Sequence, residues 1–334
     1  MNTRALIVLA VALVLGCLLV LPLGRHPASL GDMYQAVSGW LSGRELSDYE
    51  SQILFLIFKI RLPRIVAAVL VGAALSVSGA VYQGMFLNHL VSPGILGVLA
   101  GASCGSAIGI VIYNSWLITQ LLAFLGGLAG VGLSLTLAKL YTRSPILALI
   151  IGGLLSGSLF TSACSILKFL ADPEQQLPQL VYWLMGTLSK ARLPEITAVG
   201  PVMVIGLIFL CLSGKTVDVL SQGDDEARAL GVDSRRARRY LIIAATLVCS
   251  LAVILSGIIG WIGLVMPHAC RLLLGSGNRT LLPASALFGA LFLVLNDTMV
   301  RLIWTVEFPL GIFTSLTCLP IFTALLWHDR RRHG

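Results

Sequence analysis

Residues 65–138 contain no Asp, Glu, Lys or Arg. One helix needs only about 20 apolar residues to cross a bilayer, so this run must hold several crossings in succession. Lipid offers no partner to a backbone amide, which leaves helices and closed barrels as the spanning structures. The run is rich in Gly and Leu and lacks the alternation of barrel strands, so helices are the reading. The rest of the chain agrees: of 334 residues, 57% are hydrophobic and 11% are charged, with a mean hydropathy of +0.92. A soluble domain carries about 25% charge. The chain reads as an all-α polytopic membrane protein, a single transmembrane domain over residues 1–334.

Charge-poor runs mark spans near 5–23, 65–83, 94–112, 116–138, 145–167, 196–213, 240–257, 261–273, 281–300 and 308–327, about ten transmembrane helices. The run from Tyr240 to Cys270 is too long for one helix, and the break is expected at Gly257–Gly260. Basic residues mark cytoplasmic loops. The loop with Arg235 to Arg239 and the segment with Arg330, Arg331 and Arg332 then share the cytoplasmic side, as do both termini. The same count leaves Lys59, Arg61 and Arg64 outside, with Arg301 at the outer end of the ninth span. Outward arginines oppose the general bias and call for a separate reason. "LVSPGILG" at 90–97 and "LVMPHACR" at 264–271 share Leu-Val-x-Pro in spans of opposite direction, which suggests an inverted internal repeat.

Other features exclude whole classes. The net charge of +8 comes from short loops between apolar runs, so it serves topology and not nucleic acid. Cys17, Cys104, Cys164, Cys211, Cys249, Cys270 and Cys318 stand singly, which implies neither a disulfide framework nor a zinc site. The N-terminal apolar run imitates a signal peptide but outlasts the usual h-region of about 7–15 residues, so it reads as a span. "SGKT" at 213–216 is not a phosphate loop, because Phe209 stands where that motif needs Gly. His89 and His268 lack acidic neighbours at ligand spacing, and no metal is expected. Asp297 and Arg301 lie four apart and can pair on one helix face. Gly72, Gly79, Ala73, Ala74, Ser76 and Ser78 form a small-residue face that lets helices approach closely.

One stretch departs from this pattern. "SQGDDEARALGVDSRRARRY" at 221–240 concentrates charge of both signs. Such a segment must stay in water. Glu226 to Leu230 reads as a short helix with Asp224 and Asp225 favoured at its N-terminus. Gly223 and Gly231 suit the bounding turns, and Ala227 and Leu230, three apart, are expected to share one face. A solvated loop whose arginines only set topology is the alternative.

"IRLPR" at 60–64, "GAALSVSGAVYQGMFLNHLVSPGILGVLAGAS" at 72–103, "GWIGLVMPHACRLLLGSGNRTLLPASALFGA" at 260–290 and "FPLGIFTSLTCLPIF" at 308–322 resemble the FecCD family. These are ten-helix permeases of bacterial ABC importers for iron–siderophores, haem and vitamin B12. The resemblance implies a homodimer of permeases in the cytoplasmic (inner) membrane, two separate ATPase subunits and a periplasmic substrate-binding protein. ATP and Mg belong to the ATPase, and this chain is expected to bind no cofactor and to be no enzyme. It also implies that Arg61, Arg64 and Arg301 face acidic residues of the binding protein. The loop at about 214–239 matches the family's coupling loop, with Asp225, Glu226, Ala227, Arg228, Leu230 and Gly231 entering a groove on the ATPase. By family position, the fifth and tenth spans line the pathway, and Thr142, Arg143 and Ser144 form a cytoplasmic gate.

The likeness has departures: Asn88-His89 replaces Asn-Pro, Trp261 replaces Phe, and Cys318-Leu319-Pro320 replaces Gly-Ala-Pro. The cargo therefore stays open among metal chelates and the molybdate or tungstate that some relatives carry. An ion-coupled secondary transporter would need an ionisable group near the midplane, and only Asp297 comes close.

Overall fold

The computed structural model describes residues 3–24, 29–140 and 145–333. The described residues fold into helices joined by turns: α1 (Thr3–Val20), α2 (Leu30–Leu41), α3 (Asp48–Phe55), α4 (Leu62–Phe86), α5 (Val98–Ile108), α6 (Trp116–Ala138), α7 (Pro145–Leu170), α8 (Gln176–Leu184), α9 (Leu193–Leu212), α10 (Gly214–Leu220), α11 (Asp224–Ala229), α12 (Ser234–Ser256), α13 (Ile262–Leu274), α14 (Asn278–Ile303) and α15 (Leu310–His333). Eight helices among them are long and apolar enough to cross a membrane, and the shorter apolar helices Val98–Tyr113 and Ile262–Leu274 bring the set to the ten expected. The break in the long run falls where the glycines placed it. Gly257 ends α12 at a φ of 64°, a conformation that a β-carbon disfavours.

The second span is longer than its charge-poor core. α3 runs through a π-helical turn at Leu56–Arg61 into α4, so Lys59, Arg61 and Arg64 lie within a continuous helix and not in a loop. Before it, α2 and α3 form a short hairpin, each opened by a capping box from Ser29 or Ser47. The hydrogen bonds from Ser29 hold the Asp32 carboxyl below its ordinary range.

α4 is the centre. Its most apolar window is 89% buried, against 22% for α7, α9 and α15, and it packs on α14, α12, α13 and α9. Lipid tails are as apolar as Leu, so helices in a bilayer associate through close packing and buried polar links. Both occur here. A β-carbon on Gly72 would sit 2.3 Å from the Gly289 carbonyl oxygen, and one on Gly289 would sit 2.5 Å from that of Gly72. Deeper along the same helix, the Tyr82 and Thr246 hydroxyls lie 3.1 Å apart and join α4 to α12.

The packing carries an inverted repeat. α4 lies on α14 as α12 lies on α6, while α5 packs against α6 and α7 as α13 packs against α14 and α15. Helices α4–α7 thus correspond to α12–α15, each set with a short second member. Four crossings lie between the members of each corresponding pair, so the two sets run in opposite directions. The Leu-Val-x-Pro likeness does not occupy equivalent places. Pro93 opens a 3-10 turn before α5, whereas Pro267 lies inside α13. By alternation of the spans, both chain ends and the charged segment at α10–α11 lie on one side, here the loop side; the other is the far side.

Replacing Gly72 with Leu should force α4 from α14 at an overpacking cost of about 1–3 kcal/mol or more. Gly132→Leu on α6, where a β-carbon meets nothing within 4 Å, is the matched control. Fluorescence-detected gel filtration of detergent extracts should show loss of the monodisperse species for the first variant alone.

Candidate functional site: two polar ends of the bundle

On the far side, four charged residues from three segments converge. The Arg64 Nε donates to Asp297 Oδ1 at 2.8 Å and Oδ2 at 3.0 Å, and its Nη1 donates to Glu307 Oε1 at 3.3 Å. The Arg301 Nε lies 3.1 Å from Asp297 Oδ2, so the pair four apart on α14 is formed as its spacing predicted. Arg61 is tied to the end of α1, its Nη1 donating to the carbonyls of Leu21 at 2.9 Å and Pro22 at 3.0 Å. Asp297 is 2% exposed and Arg61 and Arg64 are 4% and 7% exposed, so these arginines are interior staples of the protomer as well as residues near its far surface.

Burial makes the cluster strict. Asp297, Arg64 and Arg301 have lost nearly all their water, and mainly their partners offset that loss. Glu307 is the member that sequence reasoning missed. The only sequence signal is that it is the one acidic residue between Asp297 and Asp329; its pairing with Arg64, 243 positions away, is decided by the fold.

On the loop side, α10 and α11 project beyond the spans. α11 begins after Gly223 at a φ of 111° and carries Asp224, Asp225 and Glu226 in its first turn, the end where the helix dipole favours negative charge. Asp225, Glu226, Arg228, Leu230 and Gly231 are exposed, while Ala227 is fully buried. The expectation that Ala227 and Leu230 share a face is therefore corrected. Leu230 is the C-cap beyond the last helical turn and is 60% exposed, whereas Ala227 faces the bundle as part of its core.

Two links fasten this segment to the spans, and sequence reasoning missed both. Arg238 at the start of α12 is buried. Its Nη2 donates to Asp224 Oδ1 at 2.9 Å, and its Nη1 donates to the Met85 carbonyl at the C-terminal end of α4, where a cation suits the helix dipole. Asp218 on α10 accepts from the Asn278 backbone N–H at 2.7 Å and side-chain amide at 2.9 Å, at the start of α14. The "SGKT" glycine has a packing role: a β-carbon on Gly214 would lie 2.6 Å from the Arg279 Cα. The α10–α11 segment is thus tied to both α4 and α14.

The remaining sites resolve simply. Cys318 is fully buried and Leu319 is exposed on α15. His268 packs edge-on against Phe322 with ring centroids 5.6 Å apart. Thr142, Arg143 and Ser144, the expected gate, lie outside the described residues.

An inverted-repeat bundle of apolar helices with a fastened helical segment projecting on one side defines a multi-pass membrane transport subunit. The chain belongs to the FecCD transport family, whose profile matches residues 11–328. It is 35% identical over 328 residues to the molybdate import system permease protein of Haemophilus influenzae, covering 97% of this chain and 95% of that one. It is 39% identical over 305 residues to the vitamin B12 import system permease protein of Vibrio cholerae, covering 88% of each. A metal-chelate type ABC transporter solved in an inward-facing conformation superposes with a TM-score of 0.86 at 30% identity, covering 98% of this chain and all of that one.

Asp297→Asn would leave Arg64 and Arg301 buried together without their shared carboxylate. Breaking a buried pair costs about 3–5 kcal/mol. Thermal unfolding in detergent should show a large loss of stability for Asp297→Asn and a small one for Glu307→Gln, whose carboxylate is 36% exposed.

Proposed function

We propose that this chain is the pathway-forming permease of an ATP-driven importer for a metal chelate, an iron–siderophore, haem or a cobalamin. Two copies form the pathway, two ATPase subunits dock on the loop side, and a substrate-binding protein docks on the far side. The loop side is then cytoplasmic, with both termini, and the membrane is the bacterial inner membrane. The observation that carries this reading is α11. It offers Asp225, Glu226, Arg228 and Leu230 outward, while Ala227 packs into the bundle core and the Arg238 bridge ties the helix to the end of α4. A fastened helix with an exposed face is what a protein needs to receive a push from a partner. The metal-chelate cargo rests on the B12 permease and metal-chelate transporter relatives. The molybdate permease, alike over 97% of this chain, supports an oxyanion as the second reading.

The pathway runs along α7, the fifth span. Ser158, Thr161, Ser162 and Ser165 recur at helical spacing on its exposed side, a polar stripe that lipid would not favour and a water-filled pathway between two copies would. By family position α15, the tenth span, lines it too, and Thr142, Arg143 and Ser144 close it on the cytoplasmic side. The binding protein docks over Arg61, Arg64 and Arg301. Because these arginines also hold Asp297 and the end of α1, reversing their charge tests stability together with docking. Asp297 is committed to two arginines, which speaks against an ion-coupled transporter that would need it to load and release a proton.

In proteoliposomes carrying ATPase and binding protein, Leu230→Asp should abolish ATP-driven uptake and weaken ATPase association, while insertion and binding-protein docking persist. Normal uptake by that variant would overturn the coupling role of α11. A cysteine at Thr161 or Ser165 should react with a water-soluble thiol reagent in the assembled transporter, whereas one at Ile205 on the apolar face of α9 should not. Equal reactivity at the three positions would remove the pathway from α7.

A further inference from the structure

Between the loop-side ends of α4, α10, α13 and α14 lies a cavity of about 580 Å³ whose lining includes Gln83, His89, Asp218, Gln222, Arg271 and Asn278. Its chemistry is uneven. Arg271 is half-buried and makes no ion pair among the described residues; its Nη1 and Nη2 donate only to Gln83 Oε1, at 3.1 Å and 3.2 Å. A guanidinium has five N–H donors, and the neutral amide oxygen uses two of them. Asp218 is the one acidic residue in the lining, and its Oδ1 accepts both donors of Asn278.

The arginine is also held in place. The Gln83 side-chain amide donates toward the carbonyls of Val91, Gly263 and Leu264, each at 3.3 Å, which turns its oxygen to Arg271. An anchored, partly desolvated guanidinium facing an open cavity is preorganised for a planar anion.

We propose that this cavity is a second ATPase contact, in which Arg271 receives a carboxylate side chain of the ATPase. The inference rests on the reading of α11 as the coupling helix. Ser221 and Gln222 line the cavity and lead through Gly223 directly into α11, so the two surfaces are continuous. A partner seated on α11 covers the mouth of the cavity, and its carboxylate there grips α4 through Gln83 and α13 through Arg271. Docking at α11 reaches α4 by way of Arg238; this contact adds α13, the short helix of the second repeat.

The test is binding of the purified ATPase to the permease in vesicles of phosphatidylcholine alone and of phosphatidylcholine with phosphatidylglycerol. Arg271→Gln should weaken association by about tenfold or more in both, as loss of one partner of a buried charged contact does, with partial recovery in Arg271→Lys. Inorganic phosphate should compete with the ATPase on the wild type more than on Arg271→Gln. Gln222→Glu, at an exposed position, supplies a carboxylate within the cavity and should weaken association with the fold intact, and by clearly more than Gln222→Ala, which removes the side chain without adding charge. That pair decides the matter where Arg271→Gln fails to fold. Unchanged association in Arg271→Gln or Gln222→Glu overturns the proposal, and so does a defect confined to phosphatidylglycerol vesicles, which assigns the cavity to a lipid headgroup. If Leu230→Asp weakens association and the cavity variants do not, this inference falls and the coupling reading stands. If Leu230→Asp also binds normally, the coupling reading falls with it.

Discussion

The close crossing of α4 and α14 at Gly72 and Gly289 is the contact on which the rest of the structure depends. In a bilayer no gain comes from hiding Leu from lipid, so helix association needs intimate packing or polar links between helices. Two glycines facing each other provide the first, because any β-carbon would meet a carbonyl oxygen well inside van der Waals distance. With α4 pressed to α14, it can also touch α12, α13 and α9 and become the axis around which the two repeats assemble.

The polar links sit at the two ends of this axis and have different consequences. At the far end Asp297 joins Arg64 and Arg301, so α4 and α14 are locked by charges that have no water to return to. At the loop end Arg238 and Asp218 attach the projecting helices to those same spans. The projecting segment is therefore tied to the two helices that cross at Gly72 and Gly289. α7 and α15 keep much of their surface outside this core, with 22% of their apolar windows buried.

The function follows from what is rigid and what is exposed. The centre of the bundle is built largely from small and apolar residues, while the α7 stripe and the α10–α11 segment expose polar side chains. A transport subunit needs both kinds of exposed surface, one to meet cargo and water, one to meet the motor. Family membership and the superposition with a metal-chelate transporter agree with that division.

Much of this was legible in the sequence, because a membrane imposes one-dimensional rules. The uncharged run at 65–138, the break at Gly257–Gly260 and the isolated charged segment fix the number and order of helices through backbone hydrogen bonding and hydropathy alone. The four-residue spacing likewise gave the Asp297–Arg301 pair. Long-range partners were not legible. Nothing local brings Arg64 to Asp297 across 233 positions, Arg238 to Met85 across 153, or Arg271 to Gln83 across 188. The faces of α11 were misread for a related reason: helical spacing shows which residues are neighbours, but only the packed bundle decides that Ala227 turns inward and Leu230 caps the helix in water. Sequence determined the spans because each must satisfy its own backbone. Tertiary structure decided the charge partners because a buried charge is satisfied only by whatever helix the fold brings beside it.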